Sequence, residues 1–337
     1  MKLEERIKAF NDLGQEIKAL SSDRFKSISK KAEQQNPWFT SDNVRLAIDG
    51  ICNFLNEDEL RKWASNYNLN PASPKTVGVA MAGNIPLVGF HDYLSILMAG
   101  HCAQIKLSSQ DDVLLPFLNE LLLAIEPKFA DRIKVEERLH DYDAAIATGS
   151  DNTGRYFSYY FKHVPHIIRK NRSSIAVLMG EETDAELEKL GDDIFSYFGL
   201  GCRNVSKLYL PEEYDLVKPL RVWEKFIELA NHNKYANNYN YQRTINLVNQ
   251  KHFYDNGVVL LIESEGLVSP ISVIYYERYH DQEDLRKRIV KSADKLQCAV
   301  SANAWFNKSI DFGKAQLPDV DDYADNVDTL TFLSSLN

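Results

Sequence analysis

The sequence predicts an α/β protein that begins with a helical segment. Two observations carry this. Residues 1–70 repeat apolar side chains at spacings of three and four, the period of a helix with one buried face. From Thr76 onward, short apolar runs alternate with helical patterns, which predicts a parallel sheet covered on both faces. The two regions are separated by the hinge-like Asn70-Pro71-Ala72-Ser73-Pro74.

The elements follow in order. Leu3, Ile7, Phe10 and Leu13, then Ile17 and Leu20, mark the first helical stretch, which Asn36-Pro37-Trp38 interrupts. Helices are expected from about Ser41 to Leu55 and from Glu57 to Tyr67. Past the hinge come a strand at Thr76–Ala82, a helix at His91–Gly100, a strand at Ala103–Leu107 and a helix at Leu114–Ile125. Asp143–Thr148 is a further strand, followed by a helix through Tyr159. Ser174–Met179 is a strand and Asp184–Tyr197 a helix. A glycine-bracketed turn around Cys202 leads to strands at Val205–Leu210, Val258–Ile262 and Ile271–Tyr276. The Asn/Tyr-rich stretch Asn231–Tyr241 reads as an ordered polar loop. No internal repeat or low-complexity tract stands out.

The bulk properties exclude several classes. A chain of 337 residues suits two domains of ordinary size, and 44% hydrophobic with 26% charged residues is globular. The net charge of −9 gives no general attraction to nucleic acid or anionic membranes. The N-terminus is charged and amphipathic, unlike a signal peptide, and no apolar run is long enough to span a bilayer. The four cysteines, Cys52, Cys102, Cys202 and Cys298, form no CxxC pair and read as free thiols of a cytoplasmic protein. His101-Cys102 is a lone pair without the spacing of a zinc site.

Four segments can carry chemistry. In Phe198-Gly-Leu-Gly-Cys-Arg-Asn, two glycines before Cys202 let the backbone bend and leave room beside the sulfur. A helix starting there would favour the thiolate; otherwise Cys202 is a buried structural cysteine. Ala147-Thr-Gly-Ser-Asp-Asn-Thr-Gly carries Gly149, Ser150 and Gly154 between a strand and a helix, where backbone N–H groups can face a pyrophosphate. Ser150 is equally a plain N-cap. Ala82-Gly-Asn-Ile-Pro-Leu-Val-Gly-Phe places the donor Asn84 at a strand end, either toward a ligand or as a turn former. Ile105-Lys-Leu-Ser-Ser ends a strand at Lys106, followed by Ser108 and Ser109; its alternative is a solvated lysine.

Together, and in this order, these segments resemble the aldehyde dehydrogenase superfamily, and within it the LuxC-type acyl-CoA reductases. The resemblance runs from about Val77 onward. It also includes Ile168-Arg-Lys-Asn-Arg-Ser-Ser and Ser269-Pro-Ile-Ser. It implies an aldehyde-dehydrogenase-like fold with a helical segment at 1–70, a Rossmann-type nicotinamide-binding domain at 71–175, an α/β catalytic domain at 176–305 and a C-terminal segment at 306–337. It further implies that Cys202 is the nucleophile and Asn84 the oxyanion donor. Lys106 would meet the adenosine ribose, Gly149, Ser150 and Gly154 would form the cofactor loop, and Glu265 would stand near the nicotinamide ribose, one residue out of the expected spacing to Pro270. Val177 stands where aldehyde dehydrogenases carry the acid that activates water, so the acyl-enzyme would resist hydrolysis.

The expected reaction is NADPH-dependent reduction of a fatty acyl-CoA to an aldehyde and CoA. The cofactor is expected to be NADPH before NADH, because Lys106-Leu-Ser-Ser-Gln precedes the first acid, Asp111, and offers a cation and hydroxyls to a 2′-phosphate. The alternative is that Asp111 or Asp112 folds back toward the ribose. His163 and His166 are candidate bases that nothing places near the sulfur. The expected partner is an acyl thioester, with no nucleic acid or integral membrane contact, and a homo-oligomer is compatible with the resemblance. The rivals are a CoA-acylating aldehyde dehydrogenase, a cofactor-free Cys/His thioesterase or acyltransferase, and a non-catalytic binding subunit.

Overall fold

A computed structural model describes residues 1–149 and 151–336, so Ser150 lies outside the described residues. The chain divides into two compact units. Unit 1 is Met1–Asn171 together with Pro318–Asn337, and unit 2 is Arg172–Leu317.

Unit 1 opens with α1 (Leu3–Lys18), α2 (Ser22–Gln35), α3 (Ser41–Phe54) and α4 (Glu57–Ala64). Ile7, Phe10, Leu13 and Ile17 are the buried face of α1, as their spacing requires. Gly14 lets α1 approach closely, since a Cβ there would stand 2.9 Å from the Leu55 Cβ. The sheet follows as β1 (Thr76–Ala80), β2 (Cys102–Lys106), β3 (Ile133–Val135), β4 (Ala144–Thr148) and β5 (His166–Arg169). Its helices are α5 (Phe90–Met98), α6 (Leu114–Ile125) and α7 (Asp151–Tyr160). All neighbours are parallel, in the order β3-β2-β1-β4-β5. Val77, Ile105, Ala145 and Ile146 are buried, as a sheet covered on both faces demands.

The residues after Pro318 return to unit 1. The Trp63 indole N–H donates to the Tyr323 hydroxyl at 2.7 Å, and buried His101 lies 3.0 Å from the Leu333 carbonyl. Arg169, at the end of β5, grips Asp92 on α5 through two nitrogens and also donates to the Ala324 carbonyl and the Thr329 hydroxyl. Arg169, from the segment singled out in the sequence, is therefore a strap within this unit.

Unit 2 holds β6 (Ser173–Val177), α8 (Asp184–Phe195), β7 (Val205–Pro211), α9 (Val217–Val222), α10 (Asn233–Val248), β8 (Tyr254–Asp255), β9 (Leu260–Glu263), β10 (Val273–Tyr279), α11 (Gln282–Val290) and β11 (Leu296–Val300). The sheet order is β11-β6-β7-β10-β9-β8, parallel except for the short edge strand β8.

Helix α10 corrects the expected polar loop over 231–241. Asparagine is a poor helix former because its amide competes for backbone groups. Here Asn238 and Asn246 donate to the carbonyls four residues back. The His232 ring caps the first turn, and buried Tyr235 donates its hydroxyl to the Val258 carbonyl. Tertiary anchoring outweighs the local preference. Among the described residues, no helix is long and apolar enough to cross a membrane.

Candidate functional site

Cys202 lies in the turn between α8 and β7. The expected helix over 184–197 stops at Phe195, because Tyr197, Phe198 and Gly199 all take left-handed backbone angles, with φ of 52°, 58° and 76°. For the two aromatic residues that conformation costs about 1–2 kcal/mol each. The surroundings hold it: the Phe198 ring sits 4.4 Å from the His232 ring and 5.9 Å from that of Tyr235. Strain kept in place by tertiary contacts is frequent at functional sites.

Asn204 fixes the rest of the turn. Its amide nitrogen reaches the carbonyls of Asp193, Ile194 and Ser196 at 3.1, 3.3 and 2.8 Å, and its carbonyl accepts the Gly201 N–H at 2.7 Å. Below the turn, Ser174 on β6 donates to the Cys202 carbonyl at 3.0 Å. Cys202 itself is half-buried. No helix starts at Cys202, since the residues after it turn directly into β7. Asn204 and Ser174 stand in the segments singled out from the sequence without a role of their own there; an asparagine closing a glycine-rich turn is the signal for Asn204.

Glu182, Asp193 and His232 are engaged within the unit, while Glu181 and Glu265 are exposed. Val177 is completely buried in an apolar cluster with Ile175, Tyr209, Tyr279 and Leu285. Buried Glu182 accepts the N–H groups of Met179 and Gly180, while Glu181 is exposed. Asp193 accepts the Gly313 and Ala315 N–H groups at 2.7 and 2.9 Å, and burial pushes its carboxyl up to about 7. The His232 ring packs on Phe198 rather than standing apart as a base, and its Nδ1 accepts the Tyr235 N–H. Glu265 is exposed in the bend after β9.

In unit 1, the remaining candidates gather at the carboxyl edge of the parallel sheet, the edge where ligands bind in such folds. Asn84 is exposed in the turn after β1, and Lys106 is exposed at the end of β2 beside Ala80. The two turns pack on each other. A Cβ on Gly83 would lie 2.6 Å from the Ser108 hydroxyl, so only glycine fits. The Asp111 carboxylate, also buried, accepts the Leu87 N–H at 2.8 Å, and desolvation pushes it up to about 6. The Asn36 side chain donates to the Gly83 carbonyl and that of Gln35 to the Ser109 carbonyl, so the N-terminal helices support both turns. Ser108 accepts the Gln110 N–H. The helix that follows begins at Leu114, as expected, and has no serine cap.

Gly149 follows β4 and Gly154 lies in α7. A Cβ on Gly149 would press on Thr153 at 3.0 Å, whereas one on Gly154 would meet nothing nearer than 3.8 Å. These residues fit a dinucleotide. Lys106 and Ser109 present a cation and a hydroxyl, Asp111 points inward, and space is left over Gly154. His163 and His166 are exposed in unit 1. Cys52 is buried, and burial raises both its thiol and that of Cys102.

No protein-family model matches the chain, and no curated protein matches its sequence. Solved structures do match. Aldehyde dehydrogenase 21 from Physcomitrella patens, in complex with the reaction product succinate, shares 14% identity at a TM-score of 0.68, with 100% of this chain and 84% of that chain covered. An NAD+ complex of aldehyde dehydrogenase from Bacillus cereus shares 14% at 0.62, covering 89% and 72%. An NADP dependent enzyme of E. coli shares 12% at 0.65, covering 89% and 73%. The fold is that of the aldehyde dehydrogenases, with a Rossmann-like parallel sheet, a second sheet and helices at the N-terminus.

Proposed function

We propose that the chain is an oxidoreductase of the acyl-CoA reductase type, similar to the LuxC reductases, which converts a fatty acyl-CoA to the aldehyde and CoA. The observation that carries this reading is the turn holding Cys202, strained at Tyr197 and Phe198 and pinned by Asn204. An inert structural cysteine needs neither.

The Cys202 thiolate attacks the thioester carbonyl, the carbon–sulfur bond to CoA breaks, and the acyl group remains on the sulfur. By the resemblance, Asn84 and the Cys202 N–H donate to the oxyanion, an effect worth about 3–4 kcal/mol per donor. Lys106, Ser108, Ser109, Gly149, Ser150 and Gly154 would hold a nicotinamide cofactor, with Glu265 near its ribose, and that cofactor supplies the hydride when bound. NADPH is the proposed form. Val177 gives no acid to activate water, so the acyl group is retained for reduction. The CoA-acylating aldehyde dehydrogenase is the same chemistry in reverse. The thioesterase reading is weakened by His232, whose ring packs on Phe198 and caps α10.

The test is NADPH oxidation against a panel of acyl-CoAs. One NADPH consumed per CoA released is expected. Cys202→Ala should abolish turnover and leave nicotinamide binding intact; residual turnover in that variant overturns the assignment.

A further inference from the structure

Cys298, one of the four free thiols, lies beside the Cys202 turn. It sits on the edge strand β11, in a stretch where pairing with β6 slips register between Leu296 and Ala299. Such irregularities re-aim side chains. The Cys298 sulfur lies 3.1 Å from the Ser174 hydroxyl, and the Cys298 N–H donates to the same oxygen at 3.3 Å. That hydroxyl spends its one hydrogen on the Cys202 carbonyl, so the Cys298 S–H donates to it. One serine oxygen therefore ties both cysteine segments together within unit 2.

We propose that Cys202 and Cys298 are a redox pair, and that mild oxidation by a peroxide joins them in a disulfide that shields Cys202. The Cys202 thiol gives its proton to solvent, the thiolate attacks a peroxide oxygen, the O–O bond breaks, a sulfenic acid forms, and the departing hydroxide takes that proton back and leaves as water. The Cys298 sulfur then attacks the Cys202 sulfur. The S–S bond forms, the S–O bond breaks, and a second water leaves with the Cys298 proton. The two sulfurs together lose two electrons, and one peroxide becomes two waters.

The Cys298 thiol suits the second of these roles. Burial pushes Cys298 up to about 11; Arg203 opposes this, while Cys202 and Asp193 add to it. Cys298 is thus protonated at neutral pH and is not the first to be oxidised. The inference rests on the proposed role of Cys202 only for its effect on turnover.

The experiment treats the reduced full chain with limiting hydrogen peroxide, blocks free thiols and maps cysteine peptides by mass spectrometry. A Cys202–Cys298 cross-linked peptide is expected, with Cys52 and Cys102 still free. Turnover should fall in proportion to the cross-linked fraction and return on reduction. In Cys298→Ser, Cys202 should proceed to the sulfinic acid, which reductant does not reverse. Oxidation of Cys202 to sulfinic acid in the unaltered chain with Cys298 still free overturns the proposal, as does a cross-link to Cys52 or Cys102. The mapping in the unaltered chain decides the matter even if Cys298→Ser does not fold. It also holds if the chain oxidises no NADPH, so failure of the enzyme reading is seen separately.

Discussion

The Asp111 carboxylate accepts the Leu87 N–H at 2.8 Å, and this bond joins the turn after β2 to the turn after β1 that carries Asn84. Leu87 is itself left-handed, with φ of 58°. An acid that the sequence left free to reach a ribose is instead an internal brace.

That brace has a pH signature. Burial holds the folded-state value of Asp111 near 6 and that of Asp193 near 7, both above the unfolded value of roughly 4. The folded state therefore binds more protons than the unfolded state between these limits. The stability from these groups is fully present below about pH 4 and is lost as pH rises through 6 and 7. Asp193→Asn should flatten the decline in denaturation midpoint across that window. An unchanged slope would show that Asp193 ionises normally.

Asn204→Ala removes four hydrogen bonds around the Cys202 turn. Buried partners left unsatisfied cost about 1–3 kcal/mol each before relaxation, so a loss of roughly 2–4 kcal/mol is expected in urea unfolding. Alkylation of Cys202 should also change in rate while Cys102 reacts as before.

Gly154→Ala separates stability from binding. The added methyl meets nothing nearer than 3.8 Å and sits in α7, so the fold should gain about 0.5–1 kcal/mol from helix propensity. A cofactor passing over α7 would meet that methyl. The expected outcome is a higher melting temperature with a raised KM for NADPH.

Cofactor choice is tested at Ser109, which is exposed beside Lys106 while Asp111 is turned inward. Ser109→Glu should weaken use of NADPH more than NADH, because a carboxylate repels a 2′-phosphate. A lower KM and higher kcat for NADH in the unaltered chain would reverse the proposal.

Much of the fold was legible because its signals are local. The helix at Leu114–Ile125 matches to the residue, since a long apolar pattern fixes both ends. The strands at β1, β2 and β4 are short runs buried on both faces. What escaped depends on distant partners. Ile133–Val135 is a three-residue edge strand with little to bury, and β11 is half-exposed. Helix α10 forms because Tyr235 anchors it, not because Asn233–Val248 favours a helix. At the site, Cys202 was visible from its glycines. The role of Asn204 is local to its turn, whereas those of Ser174 and Cys298 appear only when strands far apart in sequence are brought side by side.

The return of the chain after Pro318 has a consequence for synthesis. Unit 2 is wholly made before Val320, Tyr323 and Ala324 leave the ribosome, whereas Trp63, His91 and Arg169 of unit 1 wait for those residues as partners. Unit 2 can therefore mature first, although it is encoded after most of unit 1, and unit 1 reaches its final form only once Val320, Tyr323 and Ala324 are available to it. A released chain that ends at Leu317 should present a protease-resistant unit 2 and a unit 1 that is still open to cleavage.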